Sequence, residues 1–182
     1  MKPKYFFSLI LSFLIFNCSL LIGTVRYVST TGSSTPPYTS WETAADSIQK
    51  CINICSFGDT VYVANGVYKE QVVMIPGLSL IGGGMDSCLI NFQTTGVPAV
   101  EVVESCVLKG FKIVVPNTLN TWGIRTNGNS GLITLNKIVN ASLGIYVDDS
   151  NITIYKNILE NIKTYGIWIF NSNSVIRQNV IY

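Results

Sequence analysis

Residues 123–143 read GIRTNGNSGLITLNKIVNASL, residues 144–165 GIYVDDSNITIYKNILENIKTY, and residues 166–182 GIWIFNSNSVIRQNVIY. Gly123, Gly144 and Gly166 thus recur at 21 and 22 residues, with Ile124, Ile145 and Ile167 following in register. Ten residues beyond each glycine stand Ile133, Ile154 and Ile176, and three further on Asn136, Asn157 and Asn179. Two beyond those come Ile138, Leu159 and Ile181, while Asn140 and Asn161 add a partial column. A threefold glycine column is improbable by chance where glycine averages about 7% of residues. A period of this length, with several short strands in each turn, is what a parallel β-helix needs. Each coil stacks about 4.8 Å above the last, so like residues fall on like. The isoleucine columns are expected to point inward and fill a core that no single coil buries alone. The asparagine column is expected at a tight turn, where Asn accepts left-handed backbone geometry and its amide bonds to the next coil.

Working back from the repeat, Leu108-Lys109-Gly110-Phe111-Lys112-Ile113 reads as a more divergent coil with longer loops, since Leu108 precedes Ile133 by 25 residues. Before it, apolar runs at Thr60–Ala64, Gln71–Met74, Leu78–Ile81 and Cys88–Phe92 are punctuated by Gly66, Pro76-Gly77 and Gly82-Gly83-Gly84. Thr24 to Thr30 alternates as a half-buried strand does, and Gly32 to Ser40 is turn-rich. One short helix is expected between them and the first coil. Thr39 and Glu42 have capping-box spacing, and Trp41, Ala45, Ile48, Ile52 and Cys55 form one apolar stripe ended by Gly58.

Composition narrows the function. Charged residues make up 12% of the chain, hydrophobic residues 48%, and the net charge is +2. That balance provides no basic stripe for nucleic acid and no acidic tail. Histidine is absent, which removes the commonest general base and the commonest metal ligand. No metal site and no cofactor are expected. The first 23 residues read as a signal peptide: Lys2 and Lys4, then an apolar run from Phe6 to Phe16 with only Ser8 and Ser12 interrupting it. A permanent membrane span needs roughly 20 apolar residues, so after cleavage no membrane association is expected. Lipidation at Cys18 is an alternative fate for the leader. Export to the cell surface or medium permits disulfides, but Cys51, Cys55, Cys88 and Cys106 fit no zinc spacing and read first as buried thiols.

The coils at 144–160 and 166–182 resemble the parallel β-helix repeat of the pectin-lyase-like superfamily. The segments Tyr27-Val28-Ser29, Gly58-Asp59-Thr60-Val61-Tyr62-Val63 and Gly66-Val67-Tyr68 resemble the entry region of secreted bacterial right-handed β-helix proteins. Gly66-Val67-Tyr68-Lys69-Glu70 and Leu80-Ile81-Gly82 are also similar to the start of pectin methylesterases. The resemblance spans residues 25 to 182. It implies an all-β fold, a right-handed parallel β-helix (solenoid) with a short N-terminal capping helix. Residues 24–95 would hold the cap and first irregular coils, and residues 96–182 the regular repeats, with further coils or an anchor domain beyond Tyr182.

The same resemblance implies polysaccharide as the partner. Asn120-Thr121-Trp122-Gly123-Ile124 is similar to a polygalacturonase segment in which the family carries a catalytic Asp where Trp122 stands. The equivalent later positions are Leu143 and Tyr165, and none provides the paired carboxylates that glycoside hydrolysis uses. The methylesterase and lyase motifs are absent from this segment, and Asp148-Asp149, the one acidic pair, reads as a solvated turn. No catalytic residue is therefore assigned, and whether the whole protein is an enzyme stays open. Strand alternation turns Arg125, Tyr146 and Trp168 outward as one column, with Asn127, Asp148 and Phe170 as a second beside it. Arg125, Tyr146, Trp168, Asp148 and Phe170 are thus the candidate glycan-binding residues, with Arg125 a partner for a uronate carboxylate. The competing readings are a structural or adhesive surface stalk, and the N-terminal part of a polysaccharide lyase or pectin esterase whose active site lies further on.

Overall fold

A computed structural model describes residues 23–128 and 130–182; the expected leader lies, but for Gly23, outside them. The short apolar runs form three parallel sheets. A seven-stranded sheet orders β1 (Val25–Val28), β2 (Thr60–Val63), β5 (Ser79–Gly82), β8 (Cys106–Lys109), β11 (Gly131–Thr134), β14 (Ile152–Tyr155) and β17 (Val175–Arg177). A six-stranded sheet orders β3 (Gly66–Tyr68), β6 (Cys88–Asn91), β9 (Lys112–Val114), β12 (Lys137–Val139), β15 (Ile158–Glu160) and β18 (Val180–Ile181). A five-stranded sheet orders β4 (Val72–Val73), β7 (Pro98–Val103), β10 (Trp122–Asn127), β13 (Leu143–Asp148) and β16 (Tyr165–Phe170). From β2 onward the chain visits the three sheets in turn, one strand each per coil, while β1 adds an entry strand beneath β2. The result is a right-handed parallel β-helix. The divergent coil differs from its successor in the connection from β9 to β10, which is four residues longer than that from β12 to β13.

Each sheet contributes one apolar stack to the interior. Val61, Leu80, Leu108, Ile133, Ile154 and Ile176 succeed one another on the first sheet. Tyr68, Ile90, Ile113, Ile138, Leu159 and Ile181 do so on the second. Val72, Val100, Ile124, Ile145 and Ile167 form the third. The members from Val61 to Leu159 are almost wholly buried, whereas Ile176 and Ile181 on the last coil are exposed. The glycine column is a packing requirement rather than a turn. A Cβ on Gly123 would stand 2.5 Å from Ile138 Cγ2, and one on Gly144 2.5 Å from Leu159 Cδ2.

The asparagine ladder forms, with one correction. The left-handed residue at this corner is not the asparagine but the residue before it: Leu135, Lys156 and Gln178 have φ of 53°, 55° and 54°. In the earlier coil Gly110 takes that place at φ 83°. This frees each asparagine to turn its amide inward along the solenoid axis. Asn157 Oδ1 accepts from the N–H of Asn136 at 3.0 Å, and its Nδ2 donates to Ile133 O at 2.9 Å. Asn179 Oδ1 in turn accepts from the N–H of Asn157 at 2.8 Å. The column that does adopt left-handed geometry is the partial one, Asn140 and Asn161, whose amides also pair at 2.8 Å.

The N-terminal helix is shorter than the stripe predicted. Helix α1 covers Ile48–Ile52, and the chain from Trp41 to Ser47 is a series of turns joined by a bridge from Ala45 to Val28. No capping box forms, because Ser40 and Thr43 bond to each other instead. Trp41 stays half exposed. Ser47 is the N-cap, and Glu70 completes it from the first coil: its carboxylate accepts from Ile48 N and Gln49 N, each at 2.8 Å, and from Ser47 Oγ at 2.7 Å. Buried Ile48, Cys51 and Ile52 close the solenoid floor against β1, β2 and β4. Gln49 also covers the bare edge of the five-stranded sheet, accepting from Val73 N at 2.8 Å and donating to Val73 O at 3.2 Å. On the seven-stranded sheet the stack begins at Arg26, opposite Val61, with its guanidinium 3.6 Å from buried Asp59. The four cysteines in this part of the chain are free thiols, and burial pushes Cys88 up to about 11.

Candidate functional site

Alternation along β7, β10, β13 and β16 decides what the five-stranded sheet shows to solvent. With Ile124, Thr126, Ile145 and Val147 packed inward, the residues between them face out. Arg125, Tyr146 and Trp168 do stand in one register, and Glu101 precedes Arg125 in it. Asn127, Asp148 and Phe170 form the neighbouring column. Trp168 and Phe170 keep 42% and 57% of their surface open.

The rings are in mutual contact. Tyr146 and Trp168 lie 5.4 Å apart between centroids and are tilted by 47°. Two further rings, not anticipated from the alternation, join them. Trp122 stands 6.2 Å from Tyr146, and Tyr165 5.2 Å from Trp168. Counting back from Ile124 puts Trp122 on the inner side. That side is already filled at this level by Ile138, which crowds Gly123, and the Trp122 ring lies with the outward tyrosine. The signal available in the sequence was the position before each column glycine, where Trp122, Leu143 and Tyr165 share one register. This is the column the polygalacturonase resemblance matched to a catalytic aspartate, and here it is apolar or aromatic throughout.

One ion pair crosses this face. Arg125 Nη2 reaches Asp148 Oδ2 at 3.5 Å across one coil, with both side chains about a third exposed, and its Nε is buried without a hydrogen-bond partner among the described residues. The two aspartates expected in a turn are separated: Asp148 ends β13 on the sheet face, while Asp149 takes the left-handed turn at φ 45° and accepts from Asn171. Among the described residues no three His, Cys, Asp or Glu side chains gather as a metal site.

No family model and no curated protein matches the chain. Among solved structures it is similar to a pectin methylesterase in complex with hexasaccharide VII, with a TM-score of 0.50 and 12% identity over 74% of this chain and 53% of that one. It is also similar to pectin methylesterase PemA from Erwinia chrysanthemi, with a TM-score of 0.49 and 11% identity over 76% of this chain and 53% of that one. The chain spans about half the length of the solved proteins it matches. Together with the three parallel sheets, the first of these likenesses gives the chain the pectin-lyase-like fold, a right-handed parallel β-helix.

Proposed function

We propose that this chain belongs to an exported or cell-surface protein that binds polysaccharide along the outer face of its five-stranded sheet. The observation that carries the reading is the continuous run of touching, partly exposed rings Trp122, Tyr146, Trp168 and Tyr165, with Phe170 beside it. Aromatic faces stack on the C–H faces of sugar rings, and Tyr165, Trp168 and Phe170 keep about half of their surface open to do so. The fold supports the reading too, since a pectin methylesterase of the same architecture holds a hexasaccharide. Arg125 is engaged by Asp148 and flanked by Glu101, which leaves little uncompensated positive charge for a uronate. Ring stacking, not ion pairing, is then the main source of affinity, and neutral chains bind at least as well as acidic ones.

The test is a screen of the protein against pectin, alginate and neutral glycans, with Trp168→Ala as control. Binding weakened by about 1 kcal/mol or more, on the scale of one aromatic contact, with little change in melting temperature, is the expected result. No binding to any glycan, together with a large loss of stability in the variant, would leave a structural surface stalk as the better reading.

A further inference from the structure

A second aromatic cluster stands on a different sheet, near the N-terminal edge of the seven-stranded one. Tyr27 of β1 is in register with Tyr62 of β2, and Tyr62 with Ile81 of β5. Trp41, carried on the turns before α1, packs on Tyr27 with centroids 4.5 Å apart, and Tyr27 stacks near Tyr62 at 6.1 Å and 26°. Trp41 and Tyr62 nevertheless keep 48% and 40% of their surface exposed. Beside them lies a pocket of about 310 Å³ whose lining includes Trp41, Tyr62, Asn65, Ile81, Gly82 and Gly83. Asn65 is exposed and brings an amide donor and acceptor to the rim. No lining residue is charged. Lys109, next after Ile81 in the same column, is not among them.

We propose that this pocket binds a neutral pyranose ring. Trp41 and Tyr62 offer flat faces for the apolar side of the sugar, and the Asn65 amide meets its hydroxyls. A wholly apolar ligand would make no use of that amide, and an anion would find no cation in the lining. The volume lies at the low end of the roughly 300–1,000 Å³ of small-molecule sites. It therefore suits one or two rings rather than the length of a chain. The proposal does not rest on the sheet-face reading, which concerns other residues on another sheet.

The protein has three tryptophans, so Trp122→Phe with Trp168→Phe leaves Trp41 as sole tryptophan reporter, excited at the red edge where tyrosine does not absorb. Titration of that variant with cellotriose, mannotriose and galactotriose is expected to shift Trp41 emission saturably for at least one of them. Asn65→Ala is expected to weaken the response by about tenfold, the scale of a lost contact worth 1.4 kcal/mol. Added salt leaves it unchanged, since no ion pair is involved, and trigalacturonate gives no response. Saturation-transfer NMR on the wild-type chain against Trp41→Ala provides the same comparison without the reporter substitutions. Silence from all three neutral trisaccharides, or a response that survives both Asn65→Ala and Tyr62→Ala, would overturn the proposal. Binding at the sheet face leaves Trp41 dark in this assay, so the two sites fail separately.

Discussion

Asn157 is wholly buried, and four of its amide contacts run to other coils: it accepts from Asn136 N and Nδ2, and donates to Ile133 O and Asn179 Oδ1. Alanine there strands a backbone N–H in the interior and leaves a carbonyl without its donor. An unsatisfied buried polar group costs about 1–3 kcal/mol. Asn157→Ala is therefore expected to lower unfolding free energy by about 3 kcal/mol in urea titration, whereas Asn161→Ala, at an exposed pair, costs less than about 1 kcal/mol. Equal losses would show that the inner ladder carries no special share. The asparagine column was legible from spacing alone because a solenoid repeats side chains as well as backbone. Which residue takes the left-handed conformation was not. Leu135, Lys156 and Gln178 are residue types with no preference for it, and the geometry is imposed by the ladder that follows them.

Elements were readable wherever their signal repeats, and less so where it does not. The run Thr60–Ala64 became β2 and Cys88–Phe92 became β6, but β3 at Gly66–Tyr68 is only three residues long, too short for alternation to register. The helix was overextended for a different reason. The stripe through Trp41 and Ala45 has helical spacing, yet Ala45 bonds to β1 and Trp41 stacks on Tyr27. The true N-terminus is set at Ser47 by Glu70, 23 residues downstream, which no local rule contains. That remote carboxylate is testable. Charge-assisted bonds contribute about 1.5–3 kcal/mol, so Glu70→Ala is expected to destabilise the chain by about 2 kcal/mol and Glu70→Gln by less. Hydrogen exchange at Ile48 and Gln49 N–H is expected to quicken in both. Unchanged protection at those two amides would place the cap elsewhere.

Among the described residues every strand pairs only with strands of the coils directly above and below it, and Lys163 Nζ, donating to Asn117 O, reaches across one coil to the next but one; stability is therefore close to a sum of neighbouring terms. The candidate site was legible to the same degree as this regularity: the columns through Arg125, Tyr146 and Trp168 follow from it, while the rings of Trp122 and Tyr165, at the position where the glycine column crowds the interior, do not. The even register has a consequence for how such a protein changes size. Removing residues 144–165 joins Leu143 to Gly166 and sets Asn136 against Asn179, Arg125 against Trp168 and Ile124 against Ile167, the same residue classes that meet now. The shortened chain is expected to fold cooperatively, with unchanged far-UV ellipticity per residue and a lower melting temperature. An unfolded product would mean that the coils are not interchangeable. If they are, length in this molecule is a countable quantity, gained or lost in treads of about 4.8 Å, and duplication of a single 22-residue stretch lengthens the protein while every existing partner keeps a neighbour of its own kind.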